Sequence, residues 1–242
     1  MDGPFRLCVL EAGAFSAPLD RQFGHATGTF EEIFRRNDPQ VELVRHRVYE
    51  HEFPEAPEAY DGLLVTGSRH GVYEDFAWLA PLKALVREAS ARRPVVGVCF
   101  GHQLVAEAFG GRAEKSERGW GIGVHRYRLI AAPDWWPKAP EHLDLRVSHQ
   151  DQVVALPPGG RVLAGSDFCP IGMMQVGDNV VSLQPHPEMP VALADAVYRL
   201  REAALGPDRA AAARASLAQP THDDEIVRAL IGFLRGRRAV LG

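Results

Sequence analysis

Short apolar runs and longer stretches of helical spacing alternate along the first half of the chain. Residues 6–10 (Arg-Leu-Cys-Val-Leu), 41–48, 61–68 and the run from Pro94 to Val98 have the length and β-branched content of buried strands. Between them, Phe30, Ile33 and Phe34 within 23–36, and then Trp78, Leu82, Leu85 and Ala89, recur at helical spacing. Asn37-Asp38-Pro39 stops the first helix and Arg92-Arg93-Pro94 the second. Such alternation predicts a parallel sheet with right-handed crossovers. Further on the rhythm shortens. Residues 123–131, 143–148, 161–164, 171–176 and 180–183 read as closely spaced strands, which predicts an antiparallel or mixed extension of the sheet. A helix over 191–205 follows, then an Ala- and Arg-rich linker or marginal helix over 206–219. A last helix carries Ile226, Leu230 and Phe233 on one face and opens with a Thr221–Asp224 capping box. The expected fold class is α/β: a single-domain three-layer sandwich with a mostly parallel central sheet and a mixed extension. Residues 1–205 form the domain, and residues 206–242 a C-terminal linker and helix packed on it.

The run ending at Val98 breaks at Gly97-Val98-Cys99-Phe100-Gly101 and continues in a helix-compatible segment, the pattern of a strand, a sharp elbow and a helix. Cys99 then sits at the apex, where the helix N-terminus favours negative charge on sulfur. Gly97 and Gly101 let neighbouring backbone pass closely. The Phe100 amide points into the space before the sulfur, where an oxyanion develops during acyl transfer. A buried cysteine closing a strand is the plain alternative, and a base decides between the two.

Gln184-Pro185-His186-Pro187-Glu188 supplies one. In an extended segment residues two apart project the same way, so His186 and Glu188 share a face. A carboxylate beside imidazole fixes its orientation and stabilises its cation. His-x-Glu also opens a zinc deaminase signature, but no cysteine follows Glu188, so no metal is expected. His102 and His125 read as surface or core-satisfied residues, and Cys8 as core. Gly119-Trp120-Gly121-Ile122-Gly123 lacks the flanking strand and helix of a dinucleotide loop, and no phosphate loop is present, so no cofactor is expected.

Composition narrows the setting. A net charge of −4 with scattered basic residues gives no stripe for a phosphate backbone, so nucleic acid is not an expected partner. Three cysteines, Cys8, Cys99 and Cys169, are too few and too dispersed for a disulfide framework. With neither a leader nor a run of the roughly 18 apolar residues a spanning helix needs, a reducing cytoplasm is the expected compartment and no membrane the expected surface.

Taken in order, the Gly67 loop, the Cys99 elbow, Ser148-His149-Gln150-Asp151 and His186-x-Glu188 resemble the class I glutamine amidotransferase family over roughly residues 5–205. Within it the chain is similar to stand-alone proteins like the amidotransferase domain of GMP synthetase. The resemblance implies a Cys99, His186 and Glu188 triad and backbone oxyanion donors at Gly67 and Phe100. It further implies glutamine contacts at Gln103, Ser148 and His149, and a γ-glutamyl thioester on Cys99. Family members deliver ammonia to a synthetase, for which this sequence has no room, so three readings stand. The first is a glutaminase-type enzyme with a separate acceptor protein. The second is a γ-glutamyl peptide or amide hydrolase, and the third a regulatory binding module that kept the fold. The loop Ser68-Arg69-His70-Gly71-Val72-Tyr73-Glu74-Asp75 departs from the Gly-Gly-Pro type turn common in GMP synthetases, which leaves amide donors other than glutamine open.

Overall fold

The computed structural model describes residues 4–236. In chain order the elements are β1 (Phe5–Glu11), α1 (Ala17–Phe23), α2 (Ala26–Asn37), β2 (Val41–Arg47), β3 (Gly62–Val65), α3 (Leu79–Ser90), β4 (Val95–Val98) and α4 (Phe100–Ala108). The second half adds β5 (Arg112–Lys115), β6 (Gly121–Leu129), β7 (His142–His149), β8 (Asp151–Ala155), β9 (Gly160–Gly165), β10 (Met173–Val176) and β11 (Val180–Leu183). Four helices close the chain: α5 (Val191–Leu200), α6 (Glu202–Leu205), α7 (Pro207–Ser216) and α8 (Asp223–Leu234).

Nine strands form one sheet in the order β2-β1-β3-β4-β11-β10-β9-β6-β7, while β5 and β8 pair separately. The pairings from β2 to β11 are parallel and those from β11 to β7 antiparallel, so the change of rhythm in the sequence is a change of strand direction within a continuous sheet. Parallel strands need both faces covered, and the alternation in β1 shows how. Leu7 and Val9 pack with Phe30 and Phe34 of α2 and Ile226 and Leu230 of α8. Cys8 and Leu10 pack with Leu82 and Val86 of α3 and Leu104 and Val105 of α4. Cys8 is thus core. A third apolar cluster, around Leu19, Met189, Leu193, Tyr198 and Ala213, joins α1, α5 and α7.

Several boundaries differ from the sequence reading. The helix expected over 23–36 is α2 and starts at Ala26, because the chain turns at Gly24 (φ 72°) and His25 caps it by accepting from the Gly28 amide at 3.0 Å; the short α1 before it was not foreseen. The expected helix over 191–205 breaks at Arg201 into α5 and α6. The segment expected as linker or marginal helix is largely α7, which packs on β6. No Thr221 capping box forms: His222 is the N-cap, and Thr221 Oγ1 donates instead to Asp223 Oδ2 at 2.7 Å. Residues 237–242 of the expected C-terminal segment lie outside the described residues. Among the described residues no helix is long and apolar enough to cross a membrane.

Candidate active site

Cys99 lies between β4 and α4 with φ 55° and ψ −102°, a conformation that non-glycine residues adopt only at a cost of about 1–3 kcal/mol. Two contacts hold it there. The Cys99 amide donates to Leu183 O at 2.9 Å, and the Gly101 amide to Thr66 O at 3.2 Å. A Cβ on Gly97 would lie 2.5 Å from Gly101 O, and one on Gly101 would strike Val65 O, so only glycine fits on either side of the elbow. Cys99 occupies the N-cap position without using its side chain as a cap, which leaves the sulfur at the positive end of the α4 dipole.

His186 arrives from the neighbouring strand. In the register of β4 and β11, Val98 pairs with Leu183, so the chain leaving β11 passes beside the elbow. The His186 amide donates to Arg146 O at 2.8 Å, and His186 Nδ1 meets Glu188 Oε1 at 2.7 Å, with both side chains buried. With Nδ1 engaged, Nε2 is the nitrogen left for the sulfur. The position of a Cβ on Gly67 lies 3.0 Å from the His186 ring and 3.7 Å from Cys99 Cβ, so all three residues crowd one point. Burial is the largest single influence on His186 and pulls its pKa down. The Glu188 carboxylate and the charge and hydrogen bond of Cys99 together outweigh it and raise the imidazole well above its ordinary value. A buried imidazole so favoured in its cationic form is suited to sit beside a thiolate.

These groups open onto a cleft of about 270 Å³ whose wall includes Gly67, Ser68, Cys99, Ser148, His186 and Glu188. Neither the Gly67 nor the Phe100 amide is engaged in a turn or loop hydrogen bond to another backbone group. Of the three residues implied to contact substrate, the structure brings Ser148 to the cleft, with a buried Oγ that has no protein partner. Gln103 and His149 do not line it. Gln103 Nε2 and His149 Nδ1 both donate to Asp151 O, each at 3.0 Å, and so brace the corner between β7 and β8 behind Ser148. Burial drops the His149 pKa to about 3, so its ring is neutral. Gln103 Nε2 also donates to Gln184 Oε1 at 3.2 Å, while His149 Nε2 is buried without a protein partner. His102 is a neutral core residue, pushed down to about 4 by burial and held between Ser182 Oγ (2.8 Å) and Ile171 O (2.9 Å). His125 is likewise bonded, its Nε2 to Ile122 O at 3.1 Å. Among the described residues no group of three or more His, Cys, Asp and Glu is arranged to hold a metal.

Sequence reasoning missed the far wall of the cleft. Phe15 and Leu19 come from the entry to α1 and its first turn, and Leu193, Val197, Leu200 and Arg201 from α5 and its C-cap. Spacings of four, three and one along 191–201 place the last four on one helical face, a signal that was readable. It also missed Arg146, whose guanidinium reaches Met189 O (2.5 Å), Thr221 Oγ1 (3.0 Å) and Asp223.

Gamma-glutamyl peptidase 4 of Arabidopsis thaliana is 30% identical over 185 residues, covering 72% of this chain and 74% of the relative. A glutamine-hydrolysing GMP synthase of Aromatoleum aromaticum is 35% identical over 136 residues, which is 53% of this chain but 25% of that protein. The crystal structure of a glutamine amidotransferase from Thermotoga maritima shares the fold, with a TM-score of 0.75 and 19% identity over 96% of this chain and 97% of that one. The Glutamine amidotransferase class-I family model matches residues 26–199, from α2 through the elbow and the His186 loop, and the chain belongs to that family.

Proposed function

We propose that this protein hydrolyses γ-glutamyl amides through a γ-glutamyl thioester on Cys99. The observation that carries the reading is His186, held by Glu188 on one nitrogen and facing Cys99 on the rim of one cleft. In the first half-reaction His186 takes the Cys99 proton and Sγ attacks the side-chain carbonyl of the γ-glutamyl group. The tetrahedral oxyanion is received by the Gly67 and Phe100 amides, preorganised donors of the kind worth about 3–4 kcal/mol each in transition-state stabilisation. Its collapse breaks the C–N bond, and the departing amine takes the proton from His186. Water then attacks the thioester with His186 as general base, releasing glutamate and restoring the thiol. Glu188 holds the ring in the tautomer the first step requires.

Gamma-glutamyl peptides or amides are favoured as substrates by the likeness to the peptidase, which spans most of both chains. Release of ammonia from glutamine to a separate synthetase is the second reading, favoured by 35% identity to the GMP synthase. A reducing compartment such as the cytoplasm follows from the need to keep Cys99 a thiol. We also take residues 206–242 as part of the same domain, in keeping with α7 packed on β6 and α8 on α2.

The test incubates the isolated protein with glutamine and with a panel of γ-glutamyl amides and quenches for intact mass. Wild type is expected to carry one γ-glutamyl group and to turn over, and Cys99→Ala to do neither. Turnover retained in Cys99→Ala refutes the mechanism. Glutamine cleavage that is slow alone and accelerated by a cell extract selects the synthetase-dependent reading over the peptidase one.

A further inference from the structure

Ammonia needs no pocket, yet the cleft continues past the triad along an apolar wall. Phe15, Leu19, Met189, Leu193, Val197 and Leu200 line it, and α1 packs on α5 there. The α5 face runs away from His186 and Glu188, and Arg201 stands at its far end, about 12 Å along the helix axis from Leu193. Arg201 is half-buried and its guanidinium stacks over Trp120 at 4.0 Å. Among the described residues it has no carboxylate or hydrogen-bond partner. The one acidic residue of α5, Asp195, is taken by Arg199 at 2.7 Å and Arg214 at 2.6 Å. A desolvated cation without an anion is costly, and stacking on indole fixes its fork without neutralising it. The other unpaired arginine of the cleft, Arg69, is exposed on the loop after β3, where water screens it.

Resting on the hydrolase reading above, we propose that Arg201 recognises a carboxylate on the departing half of the substrate. The protein then selects γ-glutamyl amides whose amine component is an apolar amino acid or short peptide with a free C-terminus. The apolar wall takes the side chain, and the planar guanidinium takes the carboxylate in two parallel hydrogen bonds. Glutamine lacks both features.

The experiment compares γ-glutamyl-phenylalanine and γ-glutamyl-phenylalanyl-glycine with their C-terminal carboxamides, which differ only in charge. A charge-assisted contact is worth about 1.5–3 kcal/mol, or roughly 10- to 100-fold. Wild type is therefore expected to favour at least one acid over its amide by that factor in kcat/KM, the difference lying in KM. Arg201→Met is expected to lose the preference and Arg201→Lys to recover part of it, while Arg69→Met retains it. Because the readout is a ratio within one preparation, a fall in folded fraction cancels. A wild type without preference, or an Arg201→Met protein that keeps it, overturns the proposal. Binding of the same pairs to Cys99→Ala protein, with and without Arg201→Met, measures the same preference without turnover. A wild type that cleaves no γ-glutamyl amide at all sinks the hydrolase reading instead.

Discussion

Asp223→Ala is expected to destabilise the protein by about 3 kcal/mol, at the lower end of the range for breaking a buried ion pair. The Arg146 and Asp223 side chains are 6% and 12% exposed, so truncation leaves a guanidinium in the interior without its countercharge. Bonds to Met189 O and Thr221 Oγ1 remain and hold the cost below the upper end. For a chain of 242 residues, 3 kcal/mol corresponds to a fall in Tm of about 6–12 °C. The pair itself is not a net gain. Burial pushes the Asp223 carboxyl above its ordinary range against the pull of Arg146, the sign expected when desolvation exceeds attraction. Arg146→Met combined with Asp223→Leu is therefore expected to return to within about 1 kcal/mol of wild type. Activity does not return with it. The Arg146 carbonyl holds the His186 amide and its side chain holds Met189 O, so one residue brackets the segment that carries His186 and Glu188. Losing the second anchor is expected to lower kcat about 10- to 100-fold, as misplacement of a catalytic group by an ångström does. Urea unfolding with an unchanged m-value measures the first quantity and steady-state turnover the second. A loss under 1 kcal/mol in Asp223→Ala, or full turnover in the double variant, refutes the reasoning.

Acid is expected to unfold the protein early. His102 and His149 are held at about 4 and about 3, so the unfolded chain binds their protons first as pH falls below about 6.5. Stability should drop by roughly 3 kcal/mol between pH 7 and pH 5; equal urea midpoints at the two pH values contradict this. His186 works in the opposite sense, its contribution being complete below about 6.5 and lost only as pH rises through its elevated folded pKa. At the elbow, Cys99→Gly is expected to be about 1 kcal/mol more stable than Cys99→Ala, because φ of 55° strains any side chain. Thermal unfolding of the two inactive variants decides it, and an alanine variant as stable as glycine shows that the elbow stores no strain.

Local signals carried far in this sequence. The parallel half of the sheet was readable because β1, β3 and β4 carry short apolar runs, and the elbow because backbone crowding at Gly97 and Gly101 admits one residue type. His186 and Glu188 do meet at 2.7 Å, but Pro187 and Glu188 form a turn instead of the extended segment expected, so the pairing was legible and its backbone was not. The bonds of Gln103 and His149 to Asp151 O were not legible, because sequence does not say which acceptor a polar side chain finds. The separate β5–β8 pair and the capping of α8 were set by tertiary contacts, with Arg146 drawing Thr221 and Asp223 inward. Arg201 went unread because its meaning depends on Trp120, distant in sequence and stacked on it in space.

The proposed nucleophile Cys99 and proposed base His186 follow adjacent strands, β4 and β11, that lie more than eighty positions apart in the order of synthesis. As the chain emerges from the ribosome, Cys99 appears long before the imidazole that activates it, and until the two strands zip together it is an ordinary, sluggish thiol. Enhanced reactivity at Cys99 is thus withheld from incomplete or misassembled molecules, and alkylation of Cys99 at neutral pH, resolved by peptide mass from that of Cys8 and Cys169, reports when the last pairing of the parallel half has closed.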